Sequence, residues 1–232
     1  MSFLVAEIGV NWDGDFEIVK KLMEIAKKSQ CDAVKFQSFN EEIVKEHPES
    51  QRLLKSSISK NNIEEINSLA KTIGIEWFST PMYLDAVDLL EPFVNRFKIR
   101  EFDGRLLLEN KSTPIIEKIF ETKKQVIISS NQSPKSSKYF DMPNTKWLYC
   151  VPKYPCLLEE IDFSNLKDFN GYSNHSSETI VPIMASILGA EIIEMHITYD
   201  KNQDFPDNNV SFDELELNQI TNAIHLAKKI KK

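Results

Sequence analysis

The chain has 232 residues, 41% of them hydrophobic and 27% charged, with a formal net charge of −7. That composition suits one soluble domain with a sizeable core, and the acidic balance argues against nucleic acid or an anionic membrane as a partner. No apolar run is long enough for a bilayer span, and Met1-Ser2-Phe3-Leu4-Val5-Ala6-Glu7 lacks a basic leader. Three cysteines without CxxC spacing add to the expectation of a reduced, cytoplasmic setting.

Taken in order, short apolar runs alternate with amphipathic segments. Phe3–Ile8 reads as a strand, and helical spacing follows over Phe16–Lys28, with Asp13 or Asp15 as its cap. After strand Ala33–Phe39, the polar insertion Asn40–Asn62 reads as a lid or a surface helix. Helix Ile63–Ile73, strand Glu76–Ser79, helix Leu84–Leu90 and strand Arg96–Ile99 come next, then helix Pro114–Thr122. Strands Gln125–Ser129, Lys146–Cys150 and Gly171–Ser173 are separated by stretches poor in helical spacing, including Ser133–Ser137 and a long loop from Tyr154. The chain closes with helix Thr179–Leu188, capped by Ser176 or Ser177, strand Ile192–His196 and helix Asp213–Lys229. A basic tail, Lys228–Lys232, complements the last helix dipole.

Eight strand-like runs with mostly helical crossovers predict an α/β fold, a (β/α)8 TIM barrel forming a single domain over residues 1–232. An open doubly wound sheet is the alternative. The sequence has no dinucleotide Gly-rich turn and no P-loop, which removes the commonest functions of open sheets.

Barrel active sites sit at the C-terminal ends of strands. Those ends carry Glu7, Asn11, Lys35, Gln37, Thr80, Lys98, Asp103, Ser129, Tyr154, Ser173, His175 and His196. Too many are polar for a face that only caps a core. Of four histidines, His175 and His196 stand one βα unit apart, where both imidazoles could reach one metal ion; His47 and His225 read as surface residues. Lys35 and Lys98 each interrupt an apolar run, and an inward lysine needs an anion. A phosphate or carboxylate ligand would answer both lysines; a structural ion pair, with Glu7 as partner, is the other reading. Asp103 beside Gly104 is also a good turn residue. Cys150 reads as a buried strand-end thiol, and Phe36, Trp77 and Trp147 as core.

Ala6-Glu7-Ile8-Gly9-Val10-Asn11, Asp32-Ala33-Val34-Lys35-Phe36-Gln37, Phe78-Ser79-Thr80-Pro81 and Phe97-Lys98-Ile99 occur in that order. They are followed by Ile127-Ile128-Ser129-Ser130, Tyr154-Pro155, Tyr172-Ser173-Asn174-His175, Glu194-Met195-His196-Ile197-Thr198 and Pro206-Asp207. The ordered set resembles the sialic acid synthase family, whose members condense phosphoenolpyruvate with an amino-sugar aldehyde. The resemblance implies a divalent metal, manganese or magnesium, on His175 and His196. It implies phosphoenolpyruvate on Lys35, Thr80, Lys98, Ser129, Tyr154 and Ser173, with Asn11 and Gln37 also facing substrate. Glu7 and Asp207 would face the sugar or a metal-bound water, and Asp103 would stand where the family places a catalytic glutamate. An N-acylated amino sugar would be the acceptor.

Several positions depart from the family pattern. Trp12 replaces a histidine, Pro152 a polar residue, and Asn174 an aspartate that would orient the neighbouring imidazole. Ser130-Asn131-Gln132 replaces a Gly-containing turn, and Arg100-Glu101-Phe102 replaces small residues that contact phosphate. Glu101 would repel a phosphate unless Arg100 neutralises it or its side chain turns away. Family members commonly carry a C-terminal antifreeze-like domain after the barrel, and this chain stops after its eighth helix. A homo-oligomer or a separate sugar-recognition protein is the partner this implies. A divergent barrel with another acceptor or chemistry, and a non-catalytic sugar-phosphate or partner-binding protein, are the rival functions.

Overall fold

Strands buried on both faces cannot alternate apolar with polar residues, and Leu4, Val5 and Ala6, or Val126, Ile127 and Ile128, are apolar without interruption and almost wholly excluded from solvent. A computed structural model describes residues 2–230. In it the strands are β1 (Phe3–Gly9), β2 (Ala33–Ser38), β3 (Glu76–Pro81), β4 (Arg96–Ile99), β5 (Gln125–Ser130), β6 (Thr145–Tyr149), β7 (Gly171–Asn174) and β8 (Ile192–His196). Every pairing is parallel, and β1 pairs with β8, so the sheet closes into a barrel of eight strands in sequence order.

The helices are α1 (Phe16–Lys28), α2 (Glu41–Val44), α3 (Ser50–Lys55), α4 (Ile63–Ile73), α5 (Leu84–Leu90), α6 (Glu101–Leu108), α7 (Pro114–Glu121), α8 (Ile180–Ile187) and α9 (Glu214–Ala227). Asp15 caps α1 by accepting from the Glu17 N–H, and Asp213 caps α9 in a reciprocal box with Glu216. The cap of α8 is Thr179, not Ser176 or Ser177, and its side chain makes no capping bond. No helix forms after β5, and only short 3-10 turns follow β6. In the basic tail, Lys228 caps α9, while Lys231 and Lys232 lie outside the described residues.

The insertion after β2 folds as α2 and α3. Trp12 anchors it: the fully buried indole donates to the Ser56 carbonyl at 3.0 Å and packs edge-on against Phe36. The indole thus supplies an apolar foot for this segment. Arg52 holds the outer end, forking onto both carboxylate oxygens of Asp13 at 2.9 Å and reaching Glu49 and Asp204.

Gly171 opens β7 at a point where a methyl cannot fit. A Cβ there would lie 2.2 Å from the Ile192 carbonyl oxygen and 2.7 Å from Leu148 Cδ2. Gly171→Ala is expected to force β7 off β8 and cost about 3 kcal/mol or more, the upper range for overpacking. A scanning calorimeter would read a melting point lower by about 10 °C at this chain length; an unchanged melting point would refute the packing argument.

Candidate active site

Period-two alternation along each strand sends every second side chain into the barrel. Glu7, Lys35, Thr80, Lys98, Ser129, Ser173, Glu194 and His196 lie on such positions. They and Cys150, which follows β6, line one cavity of about 560 Å³ at the C-terminal ends of the strands. Each strand or its following residue contributes. That volume is ordinary for a small-molecule site.

The floor is an ion network. Lys35 Nζ lies 2.8 Å from Glu7 Oε2 and 3.7 Å from Glu194 Oε1, and Lys98 Nζ lies 3.0 Å from the same Glu194 oxygen. Ser173 Oγ donates to that oxygen at 3.1 Å, while Gln37 Nε2 donates to Glu7 at 3.1 Å. All four charged groups are almost fully buried. Burial works against the Lys35 cation, yet Glu194 and Glu7 outweigh it and raise the ammonium above its ordinary range. Burial likewise opposes the Glu194 carboxylate, and Lys35 and Lys98 hold it well below the usual range. The ligand and ion-pair readings of the lysines are therefore not exclusive, since the paired lysines still face the cavity.

Above the floor stand the two histidines, ring centroids 5.7 Å apart. His175 Nδ1 is 2.8 Å from the Val151 carbonyl, which can only accept, so that nitrogen carries the proton. Nε2 then accepts from the Tyr154 hydroxyl at 2.8 Å. Burial, helped by His196, pushes His175 down to about 3, so the ring is neutral at physiological pH. The Val151 carbonyl performs the orienting task expected of residue 174; Asn174 instead donates to the Ser176 carbonyl. His196 Nδ1 faces Asp207 Oδ2 at 3.4 Å, and although burial opposes its cation, Asp207 raises it above its ordinary range. Burial, and then the Asp207 and Glu194 charges, push the Tyr154 phenol well above its usual range and keep it an O–H.

Not every expected residue reaches the cavity. Asn11 is buried behind it, donating to the Ile197 carbonyl and Ser211 Oγ and accepting from the Asp207 N–H at 3.1 Å, so it positions Asp207 without facing a ligand. Asp103 lies in the first turn of α6, 2.6 Å from Arg100, and is absent from the cavity wall. A turn was the other reading for Asp103, but Gly104 is helical: its missing Cβ lets α6 press onto the Ser129 carbonyl, which a Cβ would meet at 2.7 Å. Glu101 does line the cavity and is neutralised by Arg105 one helical turn on, at 2.7 Å, not by Arg100. His47 is exposed as expected but sits on the cavity rim. Cys150 is a wall residue whose thiol burial pushes up to about 12, so it stays protonated. Glu194 was missed as a site residue; its signal was the period of two, which puts it on the same face of β8 as His196.

A family model described as the NeuB family matches residues 22–232. The chain belongs to the NeuB family. It is 34% identical to an uncharacterized protein of Methanocaldococcus jannaschii, over 99% of this chain and 72% of that one. It is 28% identical to an N,N'-diacetyllegionaminic acid synthase of Campylobacter jejuni, over 98% and 77%. The N-acetylneuraminic acid synthetase of Leptospira borgpetersenii, solved with citrate, has the same fold, with a TM-score of 0.86 at 24% identity over 98% of this chain and 84% of that one. The resemblance to sialic acid synthases and the closed barrel thus hold together. Among the described residues no helix is long and apolar enough to cross a membrane.

Proposed function

We propose that this protein condenses phosphoenolpyruvate with the open-chain aldehyde of an N-acylated amino sugar, giving a sialic-acid-like 2-keto-3-deoxy sugar acid and phosphate. One observation carries the reading: two buried lysines, ion-paired to Glu194, share one cavity with a neutral histidine. Lys35 and Lys98 bind the phosphate and carboxylate of the donor, helped by the hydroxyls of Thr80, Ser129 and Ser173 on the same wall. C3 of phosphoenolpyruvate attacks the aldehyde carbon, water adds at C2, and phosphate leaves by C2–O cleavage. Glu7, beside Lys35 on the floor, and Asp207, beside His196, hold and move the protons; Asp103, paired with Arg100, is absent from the cavity wall. Tyr154, its hydroxyl against His175, joins the donor's binders, and Gln37, bonded to Glu7, faces the same substrates.

The histidines fit a divalent ion. Val151 fixes the His175 tautomer so that Nε2 offers a lone pair, and the buried His196 Nδ1 is directed at the Asp207 carboxylate, 3.4 Å away, from which a divalent ion would have to displace any proton. No group of three or more His, Cys, Asp or Glu side chains among the described residues forms a ready cage. Two imidazoles leave the remaining positions to water and substrate, as suits manganese or magnesium. Such an ion, when bound, polarises the aldehyde and acidifies water.

This reading places the protein in the cytoplasm with its donor, as a single barrel over residues 1–232. A second copy or a separate sugar-recognition protein would complete the acceptor's outer contacts. Calorimetric titration of phosphoenolpyruvate, followed by a phosphate-release assay over an aldehyde panel, tests the proposal. Saturable donor binding and phosphate release that requires an amino sugar are expected. Donor binding without release from any acceptor would favour a binding protein; no donor binding would reject the reading.

A further inference from the structure

The mouth of the cavity has two unlike components. Val10 follows β1; Phe39, Ile43, Val44 and Leu53 follow β2; Met82 follows β3. These three strands are adjacent in the barrel, so the six side chains form one continuous apolar arc. Ile43 keeps 40% of its surface exposed there. The segment bearing it is fastened from below by Trp12 and from outside by Arg52, so the arc is preformed.

The charges of the wall point the same way. Among the described residues, its lysines and arginines are Lys35, Lys98 and Arg100, against the carboxylates of Glu7, Glu49, Glu101, Glu194 and Asp207. Lys35 and Lys98 lie on the floor, where the donor's own charges need them. Arg100 is engaged by Asp103, and Arg52, behind the rim, is shared by Asp13, Glu49 and Asp204. His47 accepts the Glu49 N–H at its Nδ1, 3.1 Å away. A second phosphate, brought in on the acceptor, would meet Glu49 and Asp207 with every nearby guanidinium already paired, and its desolvation would go uncompensated.

We propose that the acceptor is an uncharged amino sugar with added apolar substituents, a second acyl group or a deoxy methyl, and that Ile43 and Val44 select it. The proposal rests on the condensing reading above and names its acceptor class. An apolar arc rewards each methyl it buries, and a single well-seated one changes kcat/KM by about tenfold or more.

The test follows phosphate release from phosphoenolpyruvate and manganese with three acceptors. These are N-acetylmannosamine, its 6-phosphate, and a 2,4-diacetamido-2,4,6-trideoxymannose. The diacetamido sugar is expected to exceed N-acetylmannosamine by about tenfold in kcat/KM, and the 6-phosphate to fall about tenfold or more below it. An Ile43→Ser/Val44→Ser variant should raise KM for the diacetamido sugar selectively, with donor affinity by calorimetry showing that the barrel is intact. A preference for the 6-phosphate, or a variant that weakens all three acceptors alike, would overturn the proposal while leaving the condensing function standing. If no acceptor releases phosphate, saturation-transfer NMR on the donor-loaded protein reads the same three sugars. Selective contact with the diacetamido sugar supports the acceptor class, and equal contact or none overturns it. Failure of the donor itself to bind would instead refute the condensing function, and the acceptor class with it.

Discussion

Glu194→Gln is expected to lower the melting temperature while tightening the protein's hold on phosphoenolpyruvate. The carboxylate shares one oxygen between Lys98 at 3.0 Å and Lys35 at 3.7 Å, and all three groups are buried. Lys35 keeps Glu7 at 2.8 Å when Glu194 is neutralised, but Lys98 has no other ion-pair partner among the described residues. Removing one member of a buried pair costs about 3 kcal/mol or more, because the survivor stays desolvated and unpaired. For a chain of this length that is a drop of about 6–12 °C. The same unpaired ammonium should welcome the donor's anion, so phosphoenolpyruvate should restore more of the melting temperature in the variant than it adds to the parent. Lys98→Met is the control of opposite sign. It removes the cation and should weaken donor binding about a hundredfold, within the range for truncating one partner of a buried charge pair. Differential scanning calorimetry with and without phosphoenolpyruvate reads both. An E194Q protein that melts like the parent, or that binds the donor as poorly as K98M, would sink the account of the floor.

The double replacement His175→Ala/His196→Ala should abolish manganese binding and lower turnover by about a thousandfold or more, the scale of losing Lewis-acid stabilisation worth several kcal/mol. The two rings come from neighbouring strands and open on one cavity, and His175 is already neutral and in the required tautomer. Proton competition at His175 is thus absent near neutral pH. Free manganese measured by electron paramagnetic resonance gives the binding readout independently of catalysis. Donor affinity on the Lys35–Lys98 floor shows whether the variant is folded. Undiminished manganese binding in the folded variant would place the ion elsewhere.

The barrel was legible because each strand is buried on both faces and must be written in apolar residues, while Lys35 and Lys98 stand out against that background. Boundaries moved by a residue or two, and α1, α4, α5, β4 and β8 fell where the periodicity put them. α6 did not. Its eight residues include Gly104, a poor helix former in isolation, and the reason for a glycine is a carbonyl of β5 that comes within contact only in the folded barrel. The same helix decided the fate of two candidate charges, turning Asp103 onto Arg100 and Glu101 onto Arg105.

Sequence by itself determined the α/β alternation, the family resemblance and the residue types gathered at the strand ends, since burial and period two act along the chain locally, while the pairing of β1 with β8 closed the barrel. Only the tertiary structure decided which charge each group answers. Glu194 meets Lys98 across 96 positions of sequence, Val151 sets the tautomer of His175, and Arg52 reaches Asp204 across 152 positions. Electrostatic and hydrogen-bond partners are set by distances of a few ångströms in space, and separation along the chain carries no record of them.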